Sequence, residues 1–176
     1  HLQGATKQET DKLAKPLSAL SPCAWYWGIT RAWLRVGAYL SQGLKIGRDL
    51  GFDSGSTLDY VYRNQAQGCT FLGKLIDRQY LNAIGWRGIR QRKVHLEELL
   101  RSTIQKLRQQ GQAVHIVDIA AGHGRYVLEA IQAGGVQPDS IHLRDYSPVN
   151  VAAGQALIAE KGLQSIALFS QADAFN

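Results

Sequence analysis

Three acids stand out by what surrounds them. Asp118 lies near the exit of the apolar, β-branched run from Val114 to Ile119, and Ala120, Gly122 and Gly124 follow it. Asp145 follows SIHLR at 140–144 and comes 21 residues after Gly124; Asp173 follows a third run at 165–169. A carboxylate at a strand tip is placed to accept hydrogen bonds from both hydroxyls of a ribose, and charge-assisted bonds of that kind are the stronger sort. An acid one strand further on can accept from an adenine amino group, with backbone around Ala174 serving the ring nitrogens. The chemistry that these residues suit is binding of an adenosine-bearing molecule.

The elements that must position them can be read from the same stretch. A short β-branched run predicts a buried parallel strand, and Tyr126 to Ile131, with Val127, Leu128 and Ile131 in a stripe, predicts a helix. Strand, tight turn and helix make the opening unit of a doubly wound sheet, where ligands sit beyond the carboxyl ends of the strands. In YSPVN, Ser147 can cap and Pro148 can begin a second helix that runs through Val151, Leu157 and Ile158 to Lys161, with Gly162 closing it. A dinucleotide fingerprint begun at position 120 needs glycine at 120, 122 and 125, and this chain has Ala120, Gly122 and Arg125. The acid-x-G-x-G-x-G turn of S-adenosylmethionine (SAM) enzymes fits better: Asp118, Gly122 and Gly124 match, and only Ala120 departs, which suits the turn if φ there is negative.

DIAAGHG, RDYSPVN and ADAF together resemble the first three motifs of class I SAM-dependent methyltransferases. GFDSGSTLDYVYRNQAQG and YLNAIGWRGIRQRKVHLEELL are similar to upstream segments of a bacterial methyltransferase family, some members of which are fused to an α/β-hydrolase domain. The resemblance covers about residues 40 to 176 and implies SAM as cofactor, held by Asp118, Ala120, Gly122, Gly124, Asp145, Tyr146, Asp173 and Ala174. It also implies a sheet of more strands than the three between Val114 and Asn176. The expected fold is therefore α/β: a helical N-terminal region, then the first half of a Rossmann-like sheet, incomplete in this chain. An open central edge invites pairing with another chain, so a homo-oligomer or exchanged elements are expected.

Composition agrees with a globular, cytoplasmic protein that touches membranes at most peripherally, at the inner membrane. The 176 residues are 45% apolar, no run reaches the ~18 apolar residues of a membrane span, and Cys23 and Cys69 stand far apart as reduced, packing residues. The five histidines form no metal-like cluster, and no metal is expected. Residues 1–110 carry 17 Lys and Arg against 8 Asp and Glu, a charge of +9, whereas 111–176 carry 3 against 6, a charge of −3. A boundary near QQGQA at 109–113 divides a basic helical leader, 1–110, from a Rossmann-like region, 111–176. A nucleic-acid methyltransferase or binder is the alternative that such a leader permits, but the aromatic residues fall on apolar helical faces rather than on a stacking platform, which makes nucleic acid unlikely. A non-catalytic interaction module is the other alternative.

Within the leader, Trp25 to Arg48 places Ile29, Trp33, Val36, Leu40 and Leu44 on one face of a single expected helix, with Arg31, Arg35, Lys45 and Arg48 off the stripe. Such a helix can lie on a membrane surface or pack on its own domain or a neighbour. A further helix is expected to be capped near Ser56 or Thr57. From Trp86 to Gln110 an apolar stripe, with Gly111 as stop, predicts a long helix crowded at its start by Arg87, Arg90, Arg92 and Lys93. These are a solvated face or, for Arg87 and Arg90 above all, an anion site over the active-site mouth. His123 can be a general base or line the cofactor; Arg125 can meet the methionine carboxylate of SAM or form a surface salt bridge; Tyr146 can stack on adenine or pack at a strand end. Methyl transfer from a sulfonium needs mainly positioning, so no catalytic residue is named. The expected acceptor is a small anionic molecule or, by the resemblance, a lipid headgroup.

Overall fold

A computed structural model of the chain describes residues 7–18, 20–135 and 137–174. Among the described residues six helices precede the first strand: α1 (Lys7–Ala14), α2 (Pro22–Leu40), α3 (Gln42–Leu50), α4 (Gly55–Arg63), α5 (Phe71–Leu81) and α6 (Ile84–Gln109). Strand and helix then alternate through β1 (His115–Ile119), α7 (Arg125–Ala133), β2 (Ser140–Asp145), α8 (Pro148–Glu160) and β3 (Ala167–Gln171). The strands form one parallel sheet in the order β1-β2-β3, with Asp118 beside Leu143 and Asp145 beside Gln171. This is the α/β arrangement expected of the sequence: a helical region followed by part of a Rossmann-like sheet.

Both β–α joints follow the local chemistry. Ser147 caps α8 by accepting from the Asn150 N–H, and Pro148 occupies the first turn, where its missing N–H costs nothing. Gly124, at φ 68, makes the entry to α7, because a left-handed backbone suits glycine; a Cβ there would lie 2.4 Å from Leu143 Cδ1. The sheet core is built from Leu128, Ile131, Ile141, Leu143, Leu157 and Phe169, and α6 lays Ile104 into it. The opposite face of the sheet is open, with Val117, Ile119 and Leu168 all exposed.

The leader has its own cluster around Tyr60, Val61 and Leu81, reached by Trp86 and Ile89 from the first turns of α6. Its centre is Asp77, which is 0% exposed and accepts from Ser41 Oγ (2.6 Å), Gly43 N (2.8 Å), Gln67 N (2.8 Å) and the hydroxyl of Tyr60. This network corrects the expectation of one helix from Trp25 to Arg48. The chain breaks at Ser41, extended at φ −104, which ends α2, caps α3 through Leu44 N and gives its hydroxyl to Asp77. A second correction is smaller: α4 is capped by Ser54, not by Ser56 or Thr57, because the Ser54 side chain accepts from Thr57 N.

Candidate functional site

The carboxyl ends of β1 and β2 open into a cleft of about 440 Å³, a size ordinary for a small-molecule site. Asp118, Ala120, Gly122, Gly124 and Asp145 all line it. Of the residues expected to hold cofactor, Tyr146, Asp173 and Ala174 stand outside that wall, along the edge where β2 and β3 end. Tyr146 is 73% exposed, and the backbone of Ala172 is tied to Asp145 by a 3.0 Å hydrogen bond.

Asp145 is the hinge pin of the cleft. Its Oδ2 accepts from Gly122 N at 2.8 Å, and its Oδ1 accepts from Ser147 N at 2.9 Å and Asn150 Nδ2 at 3.0 Å. A carboxylate offers about four acceptor positions, so three internal donors leave room for roughly one more. The expectation that it takes both hydroxyls of a ribose is therefore narrowed to one, unless Asn150 gives way. Asp118 accepts from Tyr126 OH at 2.8 Å, and burial, helped by the charge of Asp145, holds its carboxyl above the usual range against that hydrogen bond.

Ala120 departs from expectation. Its φ is 59, in the left-handed region, where an L side chain is strained. The turn needs the glycine conformation even where it lacks the glycine, because the residues on either side are fixed, one by the β1 ladder and the other by Ala121 N donating to Arg144 O at 3.0 Å.

α4 roofs the turn. Gly55 and Gly122 are in backbone contact: a Cβ on Gly55 would come within 2.7 Å of Gly122 Cα. Asp59, 4% exposed, receives Arg125 Nε at 2.5 Å, Arg63 Nε at 3.0 Å and His123 Nδ1 at 3.4 Å. Burial opposes its ionisation most, but the bonds from His123 and Arg125 outweigh burial and hold the carboxyl at about 2. Ser56 Oγ lies 3.1 Å from the other ring nitrogen of His123. Serine, imidazole and acid thus stand in sequence, but two guanidiniums offset the acid, so the array serves to fix the ring rather than to sharpen it as a base. Arg125 spans Asp59 and Glu129.

The basic start of α6 is divided by the structure. Arg87 is exposed and does not line the cleft, Arg90 donates to Leu81 O at 2.8 Å, and Lys93 pairs with Glu97 and Glu129. The cleft wall takes Arg92 instead, with Tyr62 of α4 beside it and Leu96 one turn further along α6. Ser56, Asp59 and Tyr62 are the residues that sequence reasoning missed; the only signal for them was the GFDSGS turn, whose Gly55 must meet another backbone.

A family model described as "Putative methyltransferase" matches residues 1–176. The chain belongs to this methyltransferase family. The relative YnbC, an uncharacterized protein of Escherichia coli (strain K12), is 50% identical over 157 residues, which cover 89% of this chain and 27% of the relative. The chain thus spans about a quarter of that relative's length. Among solved structures, the [4+2]-cyclase SpnF is 26% identical with a TM-score of 0.32, over 36% of this chain and 22% of its own. YjhP from E. coli is 19% identical with a TM-score of 0.33, over 44% of this chain and 30% of its own. No helix among the described residues is long and apolar enough to cross a membrane.

Proposed function

We propose that the cleft binds S-adenosylmethionine and serves methyl transfer to a small anionic or lipid-related acceptor. The observation that carries this reading is the bond from Gly122 N to Asp145, which brings the glycine turn and the strand-tip acid to one wall. The donor set suits the cofactor: Gly122 and Gly124, both at positive φ, shape the turn that lines the cleft, Asp145 keeps an acceptor position for a ribose hydroxyl, and the exposed ring of Tyr146 can lie against adenine. Asp173 and Ala174, at the next strand end, extend the same edge towards the adenine amino group and ring nitrogens. Bound SAM supplies an already activated methyl group. The protein's share is then to orient and desolvate, and Arg92 beside Tyr62 is the cation placed to receive an anionic acceptor.

Calorimetric titration of the full chain with S-adenosylhomocysteine, with NADH as control, tests the reading. Binding of the former alone is expected; binding of NADH instead, or of neither, overturns it. The open β1 edge and the bare apolar face of the sheet support the expected association with another chain or an exchanged element. A monomeric mass by light scattering, with cooperative unfolding, would remove that part.

A further inference from the structure

α2 meets the rest of the molecule through its last turns, where Ala38 is buried, and through one side only. On that side Arg31, Leu34 and Arg35 share a shallow hollow with Leu44, Arg48 and Phe52. Trp25, Ile29, Trp33 and Val36, spaced four, four and three residues apart, lie together on the opposite side, away from the fold, and Trp33 is 72% exposed. Tyr26 and Tyr39 flank them and are also exposed. An apolar face of this width, turned outward along a helix, requires a partner.

We propose that this face of α2 docks on an anionic lipid surface. Charge selects that partner. From Pro22 to Arg48 there is no Asp or Glu, while Arg31, Arg35, Lys45 and Arg48 are present. Arg48 is paired with Asp49, but Arg31, Arg35 and Lys45 leave the stretch positive, so a second copy would offer the same positive charge, whereas an anionic headgroup layer complements it. The choice of aromatic residues agrees: Trp and Tyr carry an apolar ring and a polar tip, which suits the boundary between acyl chains and headgroups better than a dry protein core. The helix lies in the interface with the Trp25–Val36 face down, and the arginines of its other side stay above it in the hollow shared with α3, about one helix diameter from the headgroups and within reach of their field, without the helix spanning the bilayer.

The protein contains its own probe, since three of its four tryptophans, Trp25, Trp27 and Trp33, are in α2. The full chain is mixed with vesicles of phosphatidylcholine alone or with an equal share of phosphatidylglycerol, and tryptophan emission and flotation are followed. Blue-shifted emission and flotation with the anionic vesicles only, reversed by salt, are expected. Trp25→Ser with Trp33→Ser should abolish flotation, with helicity by circular dichroism as the check on folding. Arg31→Gln should weaken partition about fivefold, the factor that corresponds to ~1 kcal/mol per basic residue near such a surface. Absence of flotation with both vesicles overturns the proposal. So does emission already blue-shifted in solution and indifferent to lipid, which would mean that protein covers the face. Equal, salt-independent binding to neutral vesicles would likewise refute the charge argument.

Discussion

Asp77 and Asp145 are both buried carboxylates held by donors of their own region, yet only Asp145 faces a cleft. Asp77 sits inside a helical cluster and takes hydrogen bonds from α2–α3, α4 and the loop before α5. Asp145 sits at a parallel strand end and takes three, leaving an acceptor position on the side of the cleft. The difference shows where a buried acid is structural and where it can serve a ligand: the first is saturated and enclosed, the second is anchored but incomplete. Among the described residues no cation meets either, in contrast with Asp59, which answers two arginines and a histidine.

Removing Asp77 should have the largest effect. Asp77→Ala leaves Ser41, Tyr60 and two backbone N–H groups without their buried acceptor, at a cost of roughly 3 to 5 kcal/mol. Urea denaturation followed by circular dichroism measures it. A loss below about 1 kcal/mol would mean that the break at Ser41 is held by something else.

Asp145→Ala sharpens the contrast from the other side. It should weaken S-adenosylhomocysteine about thirtyfold, near 2 kcal/mol, by loss of a charge-assisted bond and of the anchor for Gly122. Calorimetry on folded protein reads this directly. Unchanged affinity would place the cofactor elsewhere and make Asp145 as purely structural as Asp77.

Asp59 gives the third test, through pH. Its carboxyl is held at about 2, below the ordinary 3.8, so it contributes stability that is present above pH 4 and is lost as pH falls through 2. The loss is roughly 2 kcal/mol, and Asp59→Asn should flatten that part of the stability profile. If the slope between pH 4 and 2 survives the substitution, the roof of the cleft is fastened by another group.

These three acids also show how much of the molecule was legible beforehand. Asp118, Gly122, Gly124 and Asp145 were legible because parallel strands end together, so acids at successive strand tips share an edge whatever else the chain does. Asp59 and Asp77 were not, because an acid within a helix reads as solvated until another element is known to pack on it. The same reason divides the basic start of α6: periodicity found the helix, but only its packing against α4 selects Arg92 over Arg87 and Arg90. The break at Ser41 was hidden too, since its cause, Asp77, lies 36 residues away in sequence.

Ala120 offers the smallest effect and the finest test of how the turn is built. Its left-handed backbone costs an L-residue roughly 1 to 2 kcal/mol, while glycine pays about 0.5 to 1 kcal/mol more entropy on folding. The methyl group is exposed, so little packing is lost with it. Ala120→Gly should therefore raise stability by about 0.5 to 1 kcal/mol, or about 2 °C in Tm for a chain of this size, without moving S-adenosylhomocysteine affinity. Calorimetric melting with and without ligand separates the two quantities. A rise in affinity along with Tm would mean that the alanine strains the cofactor-binding shape itself. A fall in Tm would mean that the methyl group makes a contact worth more than the strain it causes.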